Sequence, residues 1–434
     1  MNEVSEQIIA AAEARRADSI AFLQRLIALQ RQGEAAVQQC FADHLRDTGC
    51  AVEALSYVPS DVQMRHEFAE GEAMAREERA SIIARLAGSG GGPSLIFFGH
   101  PDGEPLKNTE TWRHDPFAGD ITDGRIHGWG VADDLAGIAI MAEAIKVIRA
   151  AGLQPRGDII ATSTPSKRHA RGVAAAMQHG YIADAAIYVH PAESGVGMQE
   201  IKAICSGQLY FRVTVNGKGP DTKEPGHTAF AHLAVNALDK TILVKSALDA
   251  LDQSRGARVH HPGIEGVVGR ATNIMVSYIA CGDAARFSRI PTSCVMGAAV
   301  SFPPGEAMEK VQQEITACIT QAAQQDPWLK DHPPKLEWLS GVTGAELPAN
   351  SPLFGAVSAA VSRVTGLSPF VNAMHTSSDI RVPMVQMGIP TVGFGPLCGD
   401  LTQNGGPDEW VDVEDYLRAI KVAADSALRW CGTA

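Results

Sequence analysis

The chain has 434 residues, 45% of them hydrophobic and 20% charged, with a net charge of −12. That length suits two domains or more, and the acidic balance excludes a nucleic-acid partner, which needs a basic stripe. No apolar run is long enough to span a bilayer, and the polar start Met1-Asn2-Glu3-Val4-Ser5-Glu6 is no secretory signal, so a cytoplasmic protein without a membrane partner is expected. The eight cysteines form no Cys-x-x-Cys pair and read as reduced, mostly buried thiols.

Residues 5–30 carry Ile8, Ile9, Ala12, Ile20, Phe22, Leu23, Leu26 and Ile27 at helical spacing. A second helix over residues 34–48 stops at Gly49. Residues 51–55 alternate like a strand, and the charged stretch 59–79 reads as a loop or a solvated helix. Residues 81–86 are a second strand, and 88–93 a flexible turn. The apolar run Ser94-Leu95-Ile96-Phe97-Phe98 predicts a buried strand, ended at Gly99-His100-Pro101-Asp102 by the proline. Asp123-Gly124 is a hairpin-turn signal. After Gly128-Trp129-Gly130-Val131-Ala132-Asp133-Asp134, a helix runs over 135–151. A strand (158–162), a helix (171–179) and a strand (185–189) follow. This order predicts an α/β fold: a mixed, mostly parallel sheet flanked by helices. A His ending one strand and an Asp heading a helix lie at the carboxyl edge of such a sheet, a good place to hold a cation.

The pattern changes near Ser206. A strand over 208–216, a long apolar helix over 228–251, strands over 273–279 and 294–300 and a helix over 305–324 make a small α+β module. Near Ser351 the α/β order returns, with a helix (352–364), a strand (390–394) and a final helix (413–431). The expected division is therefore one domain made of 1–205 and 341–434, with a second domain, 206–340, inserted in it.

Several short motifs stand in a fixed order. They are Gly99-His100-Pro101-Asp102-Gly103-Glu104-Pro105, Trp112, Pro116-Phe117, Asp123-Gly124 and Gly128-Trp129-Gly130-Val131-Ala132-Asp133. Then come Gly217-Lys218, Pro304-Gly305-Glu306, Ser378-Asp379-Ile380-Arg381, Gly388-Ile389-Pro390, Phe394-Gly395-Pro396 and Asp408-Glu409-Trp410-Val411. The set covers nearly the whole chain. It resembles the zinc metallopeptidase family of aminoacylase, glutamate carboxypeptidase and succinyl-diaminopimelate desuccinylase. The resemblance implies a metal-binding α/β domain with an inserted lid, and a homodimer or higher homo-oligomer through that lid. The helix 228–251 and the strand 208–216 are the candidates for that contact.

The resemblance also implies a site. Family members hold two zinc ions bridged by an Asp, here Asp133. One ion is further held by the His of the HxD motif, His100, and by a residue after a later strand, His190. Asp102 then orients His100. The other half departs from the family. Its Glu-Glu pair, base then ligand, falls at Ser166 and Lys167, which would set an ammonium near Asp133. Its last His ligand falls at Gly405, the lid His near Asp221 and a lid Arg at Ser301. One divalent ion, zinc or manganese, readily lost, is expected on His100, Asp133 and His190. Three protein ligands leave room for water, and hydrolysis then needs a proton acceptor, for which Glu193, His169 and Asp134 are candidates. His375, Asn273 and Arg381 are candidate contacts to a small-molecule substrate. Two functions fit. A divergent metal-dependent hydrolase of an amide-like C–N bond is favoured by the three surviving ligands. A catalytically inactive homologue, keeping the cleft for binding or assembly, is favoured by the missing base.

Overall fold

The computed structural model describes residues 2–434 except 70, 166, 168, 193–194, 225, 374–376 and 400–406. The strand Leu95–Gly99 is buried along its whole length, as a run without one polar side chain must be. It lies between Ile159–Ser163 and Ala185–Val189, parallel to both and equally buried. Thr391–Phe394 adds a fourth parallel strand beside Ala185–Val189. Arg79–Leu86 and Ala51–Tyr57 extend one side antiparallel, while Glu200–Lys202 and Phe370–Asn372 complete the other. The result is the expected mixed, mostly parallel sheet with helices against it. Glu200–Lys202 and Phe370–Asn372 are absent from the sequence reading because three residues carry no usable period. The Asp123-Gly124 turn links Ile121–Thr122 to Arg125–His127, and both its residues have positive φ, as a tight hairpin requires.

The segment 5–30 is two helices, Asn2–Ala14 and Arg16–Leu29, broken where Arg15 leaves the helical conformation. The guanidinium of Arg15 reaches Glu143, 3.2 Å away. Glu143 sits wholly buried in the middle of the helix Ala136–Ala150. Ser19 Oγ donates to it at 2.6 Å, and His44 Nε2 lies 2.6 Å from its other oxygen. One carboxylate thus ties the break at Arg15 and two N-terminal helices, Arg16–Leu29 and Glu34–Arg46, to the helix that follows Asp133.

The chain divides into two compact units. The first joins Met1–Arg65, Gly71–Ile204 and Glu346–Ala434, and the second joins His66–Glu70 to Cys205–Ala345. The expected inserted segment, 206–340, leaves out residues 66–70, where a two-residue strand, Glu67–Phe68, pairs with Lys335–Val342. Within the second unit the strand order is Asn273–Cys281, Ser293–Phe302, Gly207–Asn216, Lys335–Val342, Glu67–Phe68. Gly207–Asn216 is therefore central, bonded on both sides, and cannot be the dimer edge expected of strand 208–216. The helix expected over 228–251 is also corrected. Thr228–Leu233 is a 3-10 turn, and the α-helix is Ala237–Arg258, started where Asn236 Oδ1 accepts the Leu238 N–H at 3.0 Å. That helix carries a fully buried Arg255, gripped by Glu306 at 2.7 Å and Glu314 at 2.6 Å, with Thr272 against the guanidinium.

Burial pushes the Glu143 carboxyl up, but His44, Ser19 and Arg15 outweigh it and hold it below its ordinary 4.5. A depressed carboxylate contributes stability that is complete above the unfolded value and lost as pH falls through the folded one. Glu143→Gln should therefore cost about 2 kcal/mol at neutral pH and flatten the acid limb of the stability profile, measured by urea unfolding across pH. An unchanged acid limb would show that other groups set it.

Candidate functional site

His100 and His190 follow the carboxyl ends of adjacent parallel strands, so the sheet itself sets their rings side by side, with centroids 6.0 Å apart. The His190 N–H donates to Phe394 O at 3.0 Å, which extends the ladder past the strand end. Asp133 arrives from the wide turn Val131–Leu135, where it and Asp134 leave helical geometry before the regular helix starts at Ala136. Two glycines permit the approach. A Cβ on Gly137 would stand 2.1 Å from Val189 O, and one on Gly99 would stand 2.7 Å from Asp134 Oδ2. The turn can press against two strand ends only because both side chains are missing.

Asp133 Oδ1 lies 3.0 Å from His100 Nε2 and 3.1 Å from His190 Nε2. All three residues are buried, and their candidate ligand atoms fall within 4.8 Å of one another. The Nδ1–H of His100 donates to Asp102 O at 2.9 Å, which turns the Nε2 lone pair toward the carboxylate. Two lone pairs at that distance repel unless a proton or a metal ion lies between them. Imidazole and carboxylate donors fit a divalent cation, and a second hydrogen bond on each ring is what such ligands need. His190 Nδ1 lies 2.9 Å from the Lys202 ammonium, which can only donate to it. Lys202 is itself buried and donates to Pro191 O at 2.7 Å. Sequence reasoning missed it, because a Lys in a three-residue strand gives no sign of pointing inward.

The other oxygen of Asp133, Oδ2, is in contact with the Lys167 ammonium. The backbone N–H of Lys167 donates to the Asp102 carboxylate at 3.1 Å. This corrects the expected role of Asp102: its backbone carbonyl orients His100, while its carboxylate stands 3.7 Å from the ring and receives Lys167 instead. Glu409 is a second residue the sequence did not reveal as part of the site. Its Oε1 accepts the Ala132 N–H at 2.8 Å, its Oε2 the Gly130 N–H at 3.1 Å, and its carbonyl the Gly128 N–H at 3.1 Å. It clamps the loop that delivers Asp133. An acidic residue just ahead of the strand Trp410–Asp412 was the available signal.

The remaining candidates separate. Asp134 is turned into the fold, where burial pushes its carboxyl up to about 8, and it accepts the His100 N–H at 3.3 Å. His169 is buried, and burial lowers it to about 4. Its Nδ1 accepts the Arg171 N–H at 3.0 Å, so the neutral ring carries its proton on Nε2 and acts as a donor there. Arg381 is buried at the start of Arg381–Met387 and bonded to Asp379 at 3.1 Å and to Ser378 O at 3.3 Å. Asn273 is exposed in the second unit, in register with Ser301. Ser166, Glu193, His375 and Gly405 lie outside the described residues.

A family model described as Peptidase family M20/M25/M40 matches residues 96–429. The N-formyl-4-amino-5-aminomethyl-2-methylpyrimidine deformylase of Bacillus subtilis is 24% identical over 408 residues, covering 91% of this chain and 89% of the relative. The protein of the same name from Halalkalibacterium halodurans is 23% identical over 449 residues, covering 99% and 98%. Among solved structures, the di-peptidase Dug1p of Saccharomyces cerevisiae superposes with a TM-score of 0.71 at 12% identity, covering 99% of each chain. The YXEP protein of Bacillus subtilis, described as a dinuclear metal-binding peptidase, gives 0.62 at 14% identity, covering 97% of this chain and all of the other (100%). At these identities the structural likeness speaks for the fold.

Glu409→Ala leaves two buried N–H groups without their acceptor and should destabilise the protein by about 2 kcal/mol in chemical denaturation. Glu409→Gln, which keeps one acceptor oxygen, should lose less. Equal losses would mean that the carboxylate charge, rather than the pair of hydrogen bonds, holds the loop.

Proposed function

The chain belongs to peptidase family M20/M25/M40, and from that membership we propose that it hydrolyses an amide-like C–N bond in a small molecule with one divalent ion held by His100, Asp133 and His190. The metal-dependent hydrolase class rests on the family and on the deformylase relatives. The inactive-homologue reading has no support in either. The observation that carries the ion site is the convergence of two buried imidazoles on one buried carboxylate oxygen. A divalent ion held by these residues would supply Lewis acidity for hydrolysis. The substrate we assign is an N-formyl or other N-acyl amine, the bond type named in the deformylase relatives. His100 and His190 would contribute imidazole nitrogens and Asp133 the charge, while Asp102 O fixes the His100 ring and Lys202 contacts that of His190. His169 Nε2–H is available to donate a hydrogen bond rather than to take a proton.

Metal content and turnover on a panel of N-formyl and N-acyl amines test this reading. Turnover should vanish on chelation and return with zinc or manganese. His100→Ala should lose the bound ion and at least about a hundredfold in turnover, since ligand removal breaks a three-residue set. Full turnover after chelation would refute it.

We also propose a homodimer through the second unit. Its sheet ends at Asn273–Cys281, whose outer side meets no strand among the described residues. Met275 and Tyr278 on that strand are each 58% exposed, and Ile242 and Leu243 lie exposed on Ala237–Arg258. An unpaired edge with apolar side chains favours a second copy in a two-fold arrangement. Light scattering should give twice the chain mass, and Met275→Asp with Tyr278→Asp should give the monomer; a wild-type monomer at micromolar concentration would reject it.

A further inference from the structure

The two oxygens of Asp133 meet different chemistry. Oδ1 faces His100 and His190, and Oδ2 contacts the ammonium of Lys167. That contact is built rather than incidental. The Lys167 side chain is only 14% exposed. Its backbone N–H is bonded to Asp102, which ties the segment after Ile159–Ser163 to the turn that carries His100.

We propose that Lys167 is the resident second cation of this site: its ammonium holds one oxygen of Asp133 permanently and limits the site to one metal ion. This rests on the metal reading above and adds to it the number of cations and the residue that sets it. A buried carboxylate without a partner is costly. With an ammonium in place, Asp133 can be ionised and correctly turned before any ion arrives. A compact point charge on a flexible stem suits that task. The same ammonium repels an incoming divalent ion and draws off part of the carboxylate charge. The metal-free protein is thus stabilised and ion affinity is lowered. Two effects of opposite sign follow from one residue. A Lys that served only as packing would, when removed, weaken both stability and ion binding. A Lys turned to solvent would alter neither.

The test uses the full chain, stripped by chelation and titrated with zinc alone, in wild type, Lys167→Gln and Lys167→Arg. The wild type should retain one ion per chain by elemental analysis after gel filtration. Lys167→Gln should melt lower than wild type when metal-free, bind zinc about tenfold more tightly in a chelator competition, and recover most of the melting deficit once loaded. Lys167→Arg keeps the charge and should stay close to wild type in both measurements. Unchanged or weaker zinc binding in Lys167→Gln overturns the inference. If that variant yields no folded metal-free protein, Lys167→Arg decides, because a charge-preserving change that alters affinity tenfold in either direction is also fatal. Two ions retained by the wild type overturn this inference and leave the hydrolase reading standing. A wild type that binds no ion removes the metal reading, and this inference with it.

Discussion

A carboxylate shut away from water must be neutralised where it sits, and Asp133 is 4% exposed. Much of the first unit reads as the answer to that constraint. Two parallel strands end side by side to bring His100 and His190 to one oxygen, and Lys167 meets the other. Glycines at 99 and 137 let the turn approach closely enough for those contacts. Glu409 then holds residues 130 and 132 so that the carboxylate cannot swing away. Take away the need to bury that charge and most of these choices lose their reason.

The same logic recurs elsewhere in the chain. Glu143 is fully buried among His44, Ser19 and Arg15, and Arg255 is fully buried between Glu306 and Glu314. In each case one charged side chain replaces what an apolar residue would do less selectively, by fixing which helices meet. Such groups tolerate no half measures, since losing one partner leaves the other uncompensated.

This explains which parts of the fold were legible in sequence. Leu95–Gly99, Ala185–Val189 and Val413–Cys431 are long or apolar enough for period and burial to coincide, so their residues announce them. His100 and His190 were readable as ligands because each stands where an apolar run stops. Asp133 was readable because a helix pattern begins just after it. The partners of these groups were not. Lys202 lies 12 residues from His190 in a strand of three, and nothing in Glu200–Lys202 separates an inward Lys from a solvated one. Asp102 orients His100 through its backbone carbonyl, which any residue at that position would offer. Its side chain serves a residue 65 positions away, a distance over which local pattern carries no information. Glu67–Phe68 and Phe370–Asn372 are too short to show alternation. The apolar content of 228–251 masks Asn236, the residue that caps the helix.

The first unit is assembled from three separate stretches of chain, and that has a bearing on biosynthesis. His100, Asp133 and His190 all precede Cys205, where the long part of the second unit begins. Yet Thr391–Phe394, which lies beside the strand leading to His190, and Glu409, which clamps the Asp133 turn, emerge only after the whole second unit. While Cys205–Ala345 is being made, a nascent chain therefore carries every proposed ligand with the strand leading to His190 paired on one side only and no clamp on the acid. A premature stop within Cys205–Ala345 would release a polypeptide with the full ligand sequence but without the second strand beside His190 or the clamp on Asp133.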